Sequence, residues 1–423
     1  MPSYTVREWD RLAYGEAADQ ILQRHADRLA SLAGSGVLDH GRHALRARGV
    51  VGILAAPECS LEILPKIDLA PGQTPDQQNA AIRKRLVHML AVALDLRIDL
   101  GGVTELAWQR ETLLEILIRI FCDKLTAVLR KGMPRRYVGQ EEDLPTLRGR
   151  LDVTRQFTRH AVNPSRLACH FDFLSADIAL NRIIKAAISH VSRISRRPAN
   201  QQRLRDLAFV YADIAEVPVP ALRWDDVVID RTSRAWRELF VLARQFLRGR
   251  YQTTTGGTGL GTAMLFDMNT LFEEYVGRMV VSALAGSDFT VSLQGGRLFC
   301  LADVDTGRGL FQTKPDILIR RAGAVVHVID TKWKRIASRI DDPKLGVSQA
   351  DVYQMMAYAQ LYDAPRLTLL CPHHAGAGGA EAVHARHRIS GHTNLLETAT
   401  IDVANGVGTL TRLRRLLIEE AIA

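Results

Sequence analysis

The stretch KPDILIRRAGAVVHVIDTKWK, Lys314 to Lys334, holds two short apolar runs on either side of Ala322-Gly323. Small residues between two such runs predict a hairpin closed by a tight turn. Pairing across that turn brings Asp316 opposite or next to Asp330, the register depending on the loop length. Asp330 and Lys332 are two apart on one strand, so they point to the same face. Two carboxylates converging with a lysine are what divalent-metal phosphodiester hydrolysis requires. The carboxylates offer hard oxygen ligands to Mg²⁺. The metal activates water and offsets charge on the phosphate, and the lysine orients the water or stabilises the transition state. A lone D-x-K is far more often a solvated surface pattern. Here Asp330 directly follows the apolar run VVHVI, and Asp316 opens another, so both acids adjoin core-forming strands.

Upstream, LFDMNTLFEEYVGRMV carries Glu273 on a helix expected over Thr270 to Leu284. Two readings compete for Glu273. It can complete a helix capping box with Thr270, or it can join the acids of the hairpin, and its neighbour Glu274 is an equal candidate for that role. Downstream, DVYQMMAYAQLY predicts a helix over Val352 to Leu361, on which Gln354 and Tyr358 are four apart and share a face. Strands are expected at Phe289 to Leu293, Asp316 to Arg320, Val325 to Asp330 and Leu367 to Cys371, with a last helix over Leu410 to Ile422. One helix, several strands, then a helix and a strand describe an α/β domain, spanning residues 256–423.

Before it come a mixed α/β region over 1–100 and a mainly helical one over 101–255. In the first, Ala17 to Leu32 has a helical rhythm, Val50 to Ile67 reads as two strands around Pro57, Pro71 to Asn79 as a loop and Ile82 to Leu94 as a helix. In the second, a long helix over Glu105 to Leu129 is stopped by Gly132 and Pro134. Residues 135 to 175 read as irregular. Helices follow over Asp177 to Ser195, with Asp177 a candidate cap, over Arg203 to Ile214 and over Ser233 to Leu247. The glycine-rich GRYQTTTGGTGLG, Gly249 to Gly261, reads as a loop at a domain boundary.

Composition narrows the function classes. The apolar fraction of 47% supports sizeable cores, and 55 basic against 46 acidic residues give a formal charge of +9, which permits a polyanionic partner. Cys59, Cys122, Cys169, Cys300 and Cys371 are scattered without a CxxC pair, against a zinc ribbon or a disulfide framework. The opening MPSYTVREWDRL has no apolar signal core, and charge interrupts every apolar run before about 18 residues. A soluble cytoplasmic protein without a membrane span is expected. No GxxxxGK[ST] loop is present, and GTGLG lacks its lysine, so nucleotide binding by this chain is not expected.

Taken together, LEILPKI, RKGMPRRYV, LRGRLDV, CHFDFLSAD with LNRIIKAA, LFDMNTLFEEYV, KPDILI, VIDTKWK and DVYQMMAYA, running from Leu61 to Gln360, resemble the McrC family. That family supplies the nuclease subunit of methylcytosine-dependent McrBC restriction systems, which serve antiviral defence. The resemblance implies a C-terminal restriction-endonuclease-like core of the PD-(D/E)xK type behind a mixed β/helical N-terminal region. It implies Asp316, Asp330 and Lys332 as the catalytic motif and Glu273 as the acid of the first core helix. Thr331 is counted with Glu273, Asp316 and Asp330 around Mg²⁺, with Mn²⁺ as a substitute, and Gln354 and Tyr358 match a QxxxY feature of related nucleases. It also implies partners: an McrB-like AAA+ GTPase hexamer, which the N-terminal region would contact and stimulate, and double-stranded DNA with modified cytosine. Two other functions fit the same residues, a standalone DNA repair or recombination nuclease and a non-catalytic activator of an AAA+ NTPase.

Overall fold

The computed structural model describes residues 2–418 except 18, 35, 57, 69–71, 98–107, 110, 163–164, 232, 249–261, 337–345, 375–376, 378–380, 392 and 404–407. The loop expected over Gly249 to Gly261, the opening of the helix expected from Glu105 and the end of the last helix therefore lie outside the described residues. The chain divides into two compact units, one of Met1–Leu113 with Tyr251–Ala423 and one of Leu114–Arg250. The three-part division read from the sequence is a division along the chain. Packing joins its first and third parts.

The joint is a strand. Among the described residues, one sheet of the first unit has four strands in the order Ser3–Arg7, Ser60–Leu64, Val50–Ala55 and Thr262–Asp267. The first pair is parallel and the other two are antiparallel. Thr262–Asp267 is an edge strand supplied from far along the chain, and it leads directly into the helix Met268–Ala283 that carries Glu273. Gly52 makes this pairing possible. Its φ is +130°, and a Cβ there would lie 2.0 Å from the Met264 carbonyl oxygen, so only glycine allows the two backbones to meet. The helix Gln23–Ala33 buries Ala26, Leu29 and Ala33 against Leu54, Leu61, Ile63 and Leu265 of this sheet. Each fully buried Leu or Ile there contributes about 1.5–3 kcal/mol.

A second sheet holds the hairpin. Its order is Phe289–Leu293, Ile317–Arg321, Ala324–Thr331, Arg366–Pro372, Leu395–Ile401 and Val383–Arg388. The strand Ala324–Thr331 is antiparallel to Ile317–Arg321 and parallel to Arg366–Pro372. The helix Gln349–Tyr362 packs Met355, Tyr358, Ala359 and Tyr362 onto Leu318 and Val328. Ser348 and Asp351 close its first turn with a capping box, which satisfies two otherwise free amides. No described helix is long and apolar enough to cross a membrane.

Several expected elements differ. Pro71 to Asn79 is not all loop: Thr74 and Gln77 form a capping box and the helix runs Pro75–Ala93. In the second unit, residues 135 to 175 are not irregular. Arg136–Leu144 and Leu167–Ser175 pair antiparallel over nine residues, with a short helix Val153–Arg159 between them. Most of Arg136–Leu144 is exposed, so cross-strand hydrogen bonds hold it rather than a core, and no apolar alternation marks it. Asp177 does not cap the next helix, Ala179–Ile194, which has no side-chain cap. It forms a two-bond pair with Arg182 at 2.7 and 2.8 Å instead. The helix expected from Arg203 runs Pro198–Val210. In this unit buried Glu115 accepts bonds from Ser195 Oγ, the Arg196 amide and Asn200 Nδ2.

Candidate active site

The hairpin turn is as tight as the sequence suggests. Ala322 and Gly323 both have positive φ, +49° and +89°, between the paired residues Arg321 and Ala324, the geometry that matches strand twist. From that turn a regular ladder would set Asp316 against Ile329 and put its side chain on the wrong face. A bulge prevents this. Arg320 pairs with Val325 and Ile319 with His327, so Val326 is an extra residue on the return strand. Beyond the last pair, Ile317 with Ile329, the register brings Asp316 level with Asp330. Residues directly opposite share a face, and Val328, two before Asp330, marks it as the face under the helix Gln349–Tyr362.

Asp330 is buried, 1% exposed. Lys332 Nζ lies 2.6 Å from its Oδ2. That contact is an ion pair, and among the described residues Oδ2 has no hydrogen-bond partner. Gln354 bridges the pair: its Oε1 is 3.4 Å from Lys332 Nζ, and its Nε2 is 3.3 Å from Asp330 Oδ1 and 2.7 Å from the Tyr358 hydroxyl. Gln354 and Tyr358, one helical turn apart, thus reach the site together. Thr331 donates its amide and its hydroxyl to Asp316 Oδ2, at 2.7 and 2.8 Å.

Glu273 enters from another element. Asp267, not Thr270, caps its helix, its carboxylate accepting from the Thr270 amide at 2.8 Å. Glu273 therefore takes no part in a capping box. Leu271, Phe272, Tyr275 and Val276 take the buried face of the helix and leave Glu273 half-buried on its flank. Its Oε1 accepts from Gln294 Nε2 at 2.6 Å. Gln294 also donates its amide to the Asp316 carbonyl at 2.8 Å, so one residue ties Glu273 to Asp316. Gln294 does this with φ +49°, a conformation most non-glycine residues avoid.

Electrostatically the site is short of positive charge. Burial, and then the charge of Asp316, push the Asp330 carboxyl up to about 6 despite Lys332. Burial raises Asp316 in spite of its two bonds from Thr331. Burial and then Asp316 raise Glu273. Burial pulls the Lys332 ammonium down, but Asp330 and Asp316 outweigh it and its proton is held more tightly. Three carboxyls on an all-oxygen donor set, with Asp330 Oδ2 buried against only a lysine, have the chemistry of a hard divalent-cation site. Among the described residues, no three Asp, Glu, His or Cys side chains converge closely enough to hold a metal as they stand.

Four neighbours escape sequence reading. Gln294 is a lone amide after a strand. Asp351 pairs with Lys334 while closing the Ser348 capping box. Asn269 Oδ1 accepts from the Trp333 amide at 3.2 Å. Glu8, more than three hundred residues away in sequence, accepts from the Trp333 indole at 2.5 Å. No local pattern announces such a long-range contact.

The sequence profile of the McrBC 5-methylcytosine restriction system component matches residues 45–372. No curated protein matches the chain. Among solved structures, the refined half-complex from the tetradecameric assembly of Thermococcus gammatolerans McrB AAA+ hexamers with bound McrC includes a similar chain. The TM-score is 0.69 at 20% identity, covering 100% of both chains. A chain of the cryo-EM structure of the Thermococcus gammatolerans McrBC complex matches with a TM-score of 0.50 at 21% identity, over 67% of this chain and 88% of that one. At such identities the likeness is one of fold.

Proposed function

The chain belongs to the McrBC family of 5-methylcytosine restriction system components, and from that premise we propose that it is the DNA-cutting subunit. It acts as a Mg²⁺-dependent endodeoxyribonuclease on DNA carrying modified cytosine, together with an McrB-like AAA+ GTPase that it stimulates. The partner is supported by the similar chain found in a complex of McrB AAA+ hexamers with bound McrC.

The observation that carries the reading is the ion pair at 2.6 Å between buried Asp330 and half-buried Lys332 beside Asp316, where burial leaves both carboxyls under-neutralised. Asp316 and Asp330 would hold the cation, with Glu273 at the flank. Thr331 serves through its grip on Asp316. When bound, the cation supplies an activated water and offsets charge on the phosphate. The protein's own groups do the rest. Lys332 presents a fixed ammonium where charge develops on the phosphate, which favours the transition state over the bound ground state. Gln354 holds that ammonium and Asp330 together, and Tyr358 holds Gln354. Gln294 sets Glu273 against Asp316.

The test is cleavage of methylated and unmethylated DNA by the chain and its partner with GTP and Mg²⁺, beside a GTPase assay. Asp330→Ala is expected to stop cutting and to leave GTPase stimulation intact. Cleavage that survives exhaustive chelation would sink the metal reading. Stimulation by a wild-type chain that never cuts would make the protein a non-catalytic activator. Cutting that needs no partner would make it a standalone nuclease.

A further inference from the structure

Past Thr331 the strand ends in a tight turn, the Lys334 amide donating to the Lys332 carbonyl at 2.9 Å, and successive side chains go to two walls. Lys332 and Lys334 reach the helix Gln349–Tyr362, at Gln354 and Asp351. Trp333 and Arg335 turn to the N-terminal segment. Trp333 Nε1 donates to Glu8 Oε1 at 2.5 Å, and Arg335 Nη2 lies 2.5 Å from Asp68 Oδ1. The catalytic lysine is thus held from behind by acids of the N-terminal sheet region.

Glu8 is the more telling of the two. It is fully buried. Its Oε1 also accepts from the Lys66 amide at 3.0 Å, while its Oε2 is buried with no hydrogen-bond partner among the described residues. Burying a carboxylate with one oxygen unpartnered is unfavourable, so packing alone would be better served by an apolar side chain. The backbone is strained as well. Trp9 sits at φ +66° in the turn closed by the Asp10 amide on the Arg7 carbonyl, 3.1 Å. Such conformations persist where surrounding structure enforces them. Here the turn aims Glu8 inward at the indole of Trp333, the residue that directly follows Lys332 in sequence. The same indole meets Phe272 edge-on, ring centroids 5.3 Å apart, next to Glu273. One carboxylate therefore fixes a ring that adjoins both the lysine and the helix-borne acid.

We propose that Glu8 is a positioning residue of the nuclease site, holding Lys332 in register with Asp330 through the Trp333 indole. The inference rests on the nuclease reading above and adds a residue from the opposite end of the sequence to it. Small misplacement of a group acting at a transition state lowers turnover more than it lowers binding.

The experiment uses the full chain with its AAA+ partner and measures kcat and KM for DNA cleavage. The variants are Glu8→Leu, Glu8→Gln, Trp333→Phe and the Glu8→Leu/Trp333→Phe double. Glu8→Leu and Trp333→Phe are each expected to lower kcat about tenfold or more with KM changed by less than about twofold. The double variant should be no worse than either single, because both remove one contact. Glu8→Gln keeps an Oε1 acceptor and should stay within about threefold of wild type. The indole N–H resonance of Trp333, identified by its loss in Trp333→Phe, should move in Glu8→Gln. Unchanged kcat in a Glu8→Leu protein that merely melts earlier would reduce Glu8 to structural glue and overturn the proposal, as would multiplying effects in the double variant. Should Glu8→Leu fail to fold, Trp333→Phe decides, since it keeps an aromatic side chain facing Phe272 and removes the indole donor to Glu8. Wild-type protein that cuts no DNA would defeat the nuclease reading and this proposal with it. Wild-type cutting matched by every variant would defeat this proposal alone.

Discussion

Asp316 receives two hydrogen bonds on one oxygen from Thr331, the residue between Asp330 and Lys332: the amide at 2.7 Å and the hydroxyl at 2.8 Å. The pair pins the first acid of the site to the strand that carries the second. Both bonds fall on Oδ2, and among the described residues Asp316 Oδ1 has no hydrogen-bond partner, which leaves it open to the cation proposed above. Thr331→Val keeps the amide bond and the side-chain shape but removes the hydroxyl. A hydrogen bond to a charged group contributes about 1.5–3 kcal/mol, so cleavage should need roughly tenfold more Mg²⁺, while Thr331→Ser should behave as wild type. A Mg²⁺ titration of the cleavage rate checks this, and coincident curves for Val and wild type would show that the amide alone orients Asp316.

Lys332 and Lys334 face the same helix but have different occupations. Lys332 pairs with Asp330, whereas Lys334 pairs with Asp351 in the Ser348 capping box. Lys332→Ala should lower the cleavage rate by about 10²–10³ with little change in DNA affinity, as expected for a charge that matters mainly in the transition state. Lys334→Ala should leave the rate within about threefold and weaken the helix start instead. Rate and DNA-binding measurements on both variants decide. Equal proportional losses of rate and affinity in Lys332→Ala would make it a phosphate clamp.

The sequence discloses the parts of this site that depend on short range. Asp330 and Lys332 are read from strand alternation, and Gln354 with Tyr358 from helical spacing. The facing of Asp316 and Asp330 was legible only as proximity, because the bulge at Val326 decides the register and no residue type there signals it. Thr74-Pro-x-Gln77 did carry a helix start within a segment that reads as loop, through its capping box. The strand Thr262–Asp267 stayed hidden because its partner, Val50–Ala55, lies some two hundred residues earlier. Arg136–Leu144 stayed hidden because a strand exposed over most of its length has no apolar period to read.

On the six-stranded sheet, Arg366 ties the last helix down. Its guanidinium donates to the Leu417 and Leu416 carbonyls at 2.8 and 3.0 Å and to Glu397 Oε2 at 2.7 Å, all buried. It satisfies carbonyls that a helix end leaves open. Arg366→Met keeps much of the volume, strands those carbonyls and leaves buried Glu397 with Thr368 and the more exposed Arg386. Removing one partner of a buried ion pair costs about 3–5 kcal/mol. The denaturation midpoint should fall accordingly, and an unchanged midpoint would mean that the helix end is held by packing alone.

Asp330 should cost the fold stability that catalysis requires. Its carboxyl is pushed up to about 6 from the ordinary 3.8, first by burial and then by Asp316. An acid raised in the folded state binds its proton more tightly there than in the unfolded chain. Stability therefore falls as pH rises from about 4 to about 6, and above that range the ionised group stays a burden. Asp330→Asn removes the charge and keeps the shape. Without divalent metal, the variant should match wild type near pH 4 and melt several degrees higher above pH 6, yet it should not cut DNA. The check is a pair of thermal melts with EDTA across pH 4 to 7, set beside a cleavage assay. Added Mg²⁺ should narrow the gap, because a cation bound by the folded state stabilises wild type by mass action and has one ligand fewer in the variant. A variant that melts lower than wild type at pH 7 would show that the Lys332 ion pair outweighs the burial of Asp330, and that this carboxylate stabilises the fold it serves.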